Sequence, residues 1–166
     1  MKTVNEMTTD EMHTLVESWE LPLQKEDKKY SVNTVVDAYL KGVSDGKDQT
    51  TLLLKDQLRA NFKKAGADSN KVVDFLKENN LSPISAHLKM CSLYEFTVLV
   101  TVKEEDFLSQ NFIKVYDFTN SLEVESKTDY YSISFSFINK SPNFNPTILV
   151  SDGYALSLKS LPKPKA

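Results

Sequence analysis

A chain of 166 residues that is 40% apolar, with nine Phe and seven Tyr, is sized for one domain with a substantial core and lies outside the compositional range of disordered chains. Twenty basic residues against 23 acidic ones leave a net charge of −3, which supplies no global attraction to nucleic acid or to an anionic membrane. The single cysteine, Cys91, excludes an internal disulfide and fits a reducing compartment, and only four glycines limit phosphate-cradling loops.

No segment approaches the roughly 18 consecutive apolar residues of a membrane span, and residues 1–12 lack a basic segment followed by an apolar run. The expectation is a soluble, cytoplasmic protein. In chain order, Thr8 and Glu11 stand at capping-box spacing, and Met7 is placed to staple onto Met12. Met12, Leu15, Val16 and Trp19 follow at helical spacing and form one apolar stripe before Pro22 ends the helix. Residues 24–29 are a charged linker. This divides the chain into an amphipathic arm with its linker (1–29), an α+β domain (30–161, its helical part 30–91 and its sheet part 92–161) and a proline-bearing tail (162–166). The four stripe residues are the candidate partner-binding surface. The competing expectation, which the usual fate of apolar stripes favours, is that the arm packs back on its own domain.

Ser31 is a suitable cap for a second helix bearing Val32, Val35, Val36, Tyr39, Leu40 and Val43, with a turn at Gly42-Val43-Ser44-Asp45-Gly46. A new helix capped by Thr50 or Thr51 then carries Leu53, Leu54, Leu58 and Phe62 and ends at Lys63, Lys64 and Gly66. One helix over 31–65 is the alternative. Asp68 or Ser69 opens a third helix with Val72, Val73 and Leu76, which ends near Asn79 and Asn80. Residues 82–91 admit two readings. Pro83 suits the first turn of a helix with Ile84, Leu88 and Cys91 on one side, but an extended lead into the next strand fits equally.

Residues 93–138 form the centre of the pattern. Tyr94, Phe96, Val98, Val100 and Val102 alternate with Glu95, Thr97 and Thr101, the period of a half-buried strand. Tyr131, Ile133, Phe135 and Phe137 repeat it against Ser132, Ser134 and Ser136. Between them residues 103–122 read as one amphipathic helix. Leu108, Phe112, Val115 and Leu122 make its stripe, widened by Phe107 and Tyr116, and Glu104, Glu105 and Asp106 sit in its first turn. If the two strands are parallel neighbours, this helix is the crossover between them. After turn chemistry at 139–146, residues 147–150 and 154–158 read as a hairpin joined through Ser151-Asp152-Gly153. The fold class is α+β: amino-terminal helices, a strand-helix-strand unit and a carboxy-terminal hairpin, with a mixed or antiparallel sheet covered by helices on one face.

Chemistry is sparse. His87 and Cys91 are four apart and would share a helix face, but a structural metal site needs four ligands and His13 is the only other histidine. A Cys91 nucleophile with His87 as base has no orienting third group. Glu123 and Glu125 read as solvated charge, and the usual phosphate-loop, serine-elbow and kinase patterns are absent. Phe135 and Phe137 resemble, in spacing alone, the aromatic pair on the central strand of RNA-recognition motifs, without that motif's glycines and leading basic residue. Lysines cluster only as Lys28-Lys29, Lys63-Lys64 and Lys159, Lys163 and Lys165. The reading is therefore a non-catalytic protein-protein interaction module, a small regulator or inhibitor, with a protein partner or a second copy of itself, and with no catalytic residue, cofactor, metal or membrane. The alternatives are a nucleic-acid-associated protein using aromatic sheet residues and lysine patches, and an enzyme whose site the sequence hides.

Overall fold

A computed structural model describes residues 19–20 and 48–161. In chain order these form β1 (Trp19–Glu20), α1 (Asp48–Glu78), β2 (Pro83–Met90), β3 (Glu95–Val102), α2 (Glu104–Phe107), a 3-10 turn (Gln110–Phe112), α3 (Ile113–Ser126), β4 (Ser132–Asn139), α4 (Pro146–Ser151) and β5 (Leu156–Leu158). The fold is α+β. Expectations for the helix before Trp19, the linker 24–29, the helix from Ser31 with its Gly42–Gly46 turn, and the tail 162–166 lie outside the described residues.

Leu58, Phe62, Ala65, Ser69, Val72 and Leu76 are spaced alternately by four and three, and all are buried. That spacing is one continuous helical stripe. It explains why α1 runs 31 residues without a break, through the expected end at Lys63, Lys64 and Gly66. The internal glycine costs about 1 kcal/mol, whereas burying a side chain such as Val72, Val73 or Leu76 contributes about 1.5–3 kcal/mol. Asp68 and Ser69 are consequently mid-helix residues rather than caps. The helix does stop where Asn79 and Asn80 predict. Asn80 adopts φ 58°, its N–H bonds Lys77 O and the Leu81 N–H reaches back to Leu76 O, the paired bonds of a Schellman end.

The five strands lie in the order β1-β5-β2-β3-β4. β2 and β3 form an antiparallel pair, β5 is antiparallel to both β1 and β2, and β3 and β4 run parallel. Residues 82–91 therefore take the extended alternative. Phe96, Val98 and Val100 stand opposite Ile133, Phe135 and Phe137, so the two predicted alternations meet in register on one face. This near face, with α1 and α3, encloses the core. The far face differs from expectation at one end: Glu95 is exposed, but Thr101 is wholly buried.

The crossover also departs from its predicted form. Ser109 is extended (φ −75°, ψ 149°), which splits the expected helix into α2, the 3-10 turn and α3. The break rotates Phe112 into the core, 5.3 Å from the Phe137 ring and 5.2 Å from Phe107, and leaves Leu108 outside. At the carboxy end the expected first hairpin arm is a helix. The Asn145 side chain caps it by accepting from the Thr147 N–H, and Pro146 occupies its first turn, signals that outweigh the β-branched residues at 147–150. Gly153, at φ +95°, then turns the chain into β5. Trp19 is in a strand rather than a helix. It pairs with Leu158, and its indole N–H donates to Phe62 O at 3.2 Å.

Phe135→Ala should cost about 3–5 kcal/mol and Ser134→Ala less than about 1 kcal/mol, because the first is buried on the near face and the second is exposed. Urea titration of both variants reads the difference. Equal losses would contradict the facing.

Candidate functional site

Trp19, one of the four expected partner-binding residues, is 1% exposed and belongs to the core; Met12, Leu15 and Val16 lie outside the described residues. The exposed apolar surface is elsewhere. On α3, Val115, Thr119, Leu122 and Ser126 are buried and define its inner side. At 100° per residue, Ile113, Tyr116, Asn120 and Val124 fall within an arc of about 80° on the outer side. Of these, Ile113 is 63%, Tyr116 43% and Val124 77% exposed, and Leu108, 74% exposed, lies just before the 3-10 turn. One unbroken helix would put Leu108 and Tyr116 on the core stripe; the break at Ser109 turns them outward.

Tyr116 is the fixed point of this surface. Its ring packs edge-on against Phe112 (5.3 Å) and Phe137 (5.6 Å), so it is held from below while its other side faces solvent. An aromatic anchored in this way loses little side-chain freedom on binding. Beside it, β4 is the last strand of the sheet, eight residues long and free of proline and lysine, which is the kind of edge that invites strand addition. The fold covers it at one point: Glu123 Oε1 accepts the Phe135 N–H at 2.7 Å, and the Ile133, Phe135 and Phe137 side chains are buried. Glu123 is thus an edge cover rather than the solvated charge expected, while Glu125 is exposed as anticipated.

A pocket of about 400 Å³ lies beside this covered edge, lined by Cys91, Glu95, Thr97, Glu123, Lys127 and Ser134 among others. Its hydroxyls are linked across strands: Thr97 Oγ1 lies 3.2 Å from Ser134 Oγ and 3.6 Å from Cys91 Sγ. Among the described residues no imidazole lines it. His87 is buried on the far face, with Nδ1 3.2 Å from Ser157 Oγ. The strand between it and exposed Cys91 spans roughly 13 Å, so the two are not brought together. Among the described residues no group of three or more His, Cys, Asp or Glu side chains could hold a metal ion, and no helix is long and apolar enough to cross a membrane.

The features that suggested nucleic acid are also used internally. Phe135 and Phe137 are buried, so their faces are closed to bases. Lys64 lies over the Tyr131 ring, 4.2 Å from its centroid, and donates to Ser126 O, which separates it from Lys63 at the surface. Lys28, Lys29, Lys163 and Lys165 lie outside the described residues. Comparison with protein-family models, with curated proteins and with solved structures finds no match for this chain.

Burial pushes the His87 imidazole below its ordinary value near 6.5. A depressed histidine leaves the unfolded chain holding more protons than the folded one once the pH drops below that value. The stabilisation is therefore complete above about 6.5 and is lost as the pH falls toward the folded pKa. The urea midpoint should decline between about pH 7 and about pH 5, and less steeply in His87→Gln. Identical slopes in the two proteins would remove His87 as the cause.

Proposed function

We propose that this chain is a non-catalytic protein-protein interaction module, of the kind a small regulator or inhibitor uses, and that its contact surface is the outer face of α3. The supporting observation is that Ile113, Tyr116 and Val124, each from 43% to 77% exposed, share the outer side of α3 by helical spacing, with exposed Leu108 preceding them in the same crossover segment. Single exposed apolar residues are ordinary, whereas a contiguous group on one face is a feature of contact sites. Tyr116 supplies the rigid aromatic typical of interface anchors, with Ile113 and Val124 flanking it along the helix. Because Trp19 is taken up by its own core, the contact is assigned to α3 rather than to the amino-terminal stripe.

The covered edge of β4 bears on how such a contact forms. With Glu123 on the Phe135 N–H, adding a strand to β4 would have to displace that carboxylate, which favours packing onto the helix. The occupant is a second copy of the chain or a different protein.

The double variant Ile113→Asp with Val124→Asp changes two solvent-facing positions and should alter stability by no more than about 1 kcal/mol in total. Light scattering and affinity purification of the wild-type chain should show a dimer or a bound partner, and the double variant should lose it. Trp19→Ala should act differently, lowering stability by about 3–5 kcal/mol as a core truncation. A wild-type chain that is monomeric and carries no partner, or a double variant that retains its partner, would overturn the proposal.

A further inference from the structure

The far face of the sheet holds a group of polar side chains where apolar ones would be cheaper to bury. Ser85 and His87 are two apart on β2 and point to the same side. Thr101 on β3 stands opposite Ser85, and Ser157 on β5 stands opposite His87. None of the four is more than 7% exposed. His87 Nδ1 is satisfied by Ser157 Oγ at 3.2 Å, but Ser85 Oγ, Thr101 Oγ1 and His87 Nε2 find no hydrogen-bond partner among the described residues. The large majority of buried side-chain polar atoms in folded proteins are bonded to protein or to ordered water, so three unpartnered ones grouped on one face point to a ligand.

We infer that Ser85, Thr101 and His87 frame an internal binding site for a small uncharged hydrogen-bonding ligand, and that ordered water occupies it. The chemistry of the frame sets the class. Two hydroxyls each donate and accept, and one imidazole nitrogen does either according to its tautomer. All three are neutral groups. A carboxylate or an ammonium ion placed among them would be buried without a counter-charge. Spacing sets the size: side chains directly opposite on paired antiparallel strands have Cβ atoms about 4.5–5.5 Å apart, so one oxygen can bridge the Ser85 and Thr101 hydroxyls. His87 is roughly 6–7 Å further along β2, within reach of a second water hydrogen-bonded to the first. The network links β3, β2 and β5 by their side chains, in addition to the backbone ladder.

Isosteric substitution in the full chain separates a hydrated site from a dry one. In a dry site the Thr101 hydroxyl is a penalty, and Thr101→Val raises Tm. In a hydrated site Thr101→Val strands a water and lowers Tm by about 2–4 °C, Ser85→Ala does the same, and the double variant falls by less than the two together because both substitutions break one bridge. Oxygen-17 water relaxation dispersion, which counts long-lived internal waters, should fall in the double variant. Thr101→Val alone keeps the test in force if the double variant does not fold. A raised or unchanged Tm in Thr101→Val, additive losses, or an unchanged count of long-lived waters would each overturn the inference.

Discussion

The hydrogen bond from the Tyr131 hydroxyl to Asp68 Oδ2, 3.0 Å long and buried on both sides, fastens the long helix to the start of β4, and much of the architecture follows from it. Asp68 is one member of a polar stripe, Asn61, Lys64 and Asp68, that runs along α1 beside its apolar one. Asn61 donates through Nδ2 to Leu93 O at 2.9 Å and to Tyr130 O at 2.8 Å, and accepts from Gln57. The Lys64 ammonium rests on the Tyr131 ring and bonds Ser126 O. These contacts hold the β2–β3 turn, the end of α3 and the start of β4 to one rigid rod. The buried Asp68 carboxylate is partly balanced by Lys71 Nζ at 3.3 Å. Burial, and after it the neighbouring Asp68 carboxylate, pushes the Tyr131 phenol far above its usual range, so the phenol stays a donor.

With the carboxy end of the crossover fastened to α1 and Phe112 packed on Phe137 at the start of α3, the orientation of α3 follows. Its inner side is committed to the core and one flank to the edge of β4, where Glu123 takes the Phe135 N–H. What remains is the outer side, and there the chain has placed Ile113, Tyr116 and Val124 where polar residues would be cheaper to solvate. The sheet edge and the helix face thus have opposite fates. One outward N–H of the edge strand is taken by a side chain, and the outer side of the helix keeps Ile113, Tyr116 and Val124 exposed.

The alternation in β3 and β4 was legible because one face of each strand is buried and a period of two survives no slip. The end of α1 was legible because Asn80 tolerates the left-handed backbone that a Schellman end requires. Elsewhere local signals misled. Gly66 with Lys63 and Lys64 has the chemistry of a helix end, yet the apolar stripe passes it in phase, and counting that spacing from Leu58 to Leu76 would have shown one helix. At 147–150 β-branched residues suggested a strand while Asn145-Pro146, a cap followed by a first-turn proline, specified the helix. Trp19 packs at home, as the usual fate of apolar stripes favours, but in a strand instead of the expected helix, because its pairing with Leu158 lies far away in sequence. Glu123 and Thr101 could not be read at all. Their roles depend on which strand ends the sheet and on what covers its far face, and both are settled by residues distant in sequence.

Site-specific photo-crosslinking in the native host tests the central claim most directly. A photoreactive residue replacing Asn120, at the middle of the outer stripe of α3, is compared with one replacing Asp74 on the exposed side of α1. A contact through the outer face of α3 gives a discrete adduct from position 120, with the mass of a second copy or of one defined partner, and none from position 74. An adduct at position 74 with none at position 120 would contradict it.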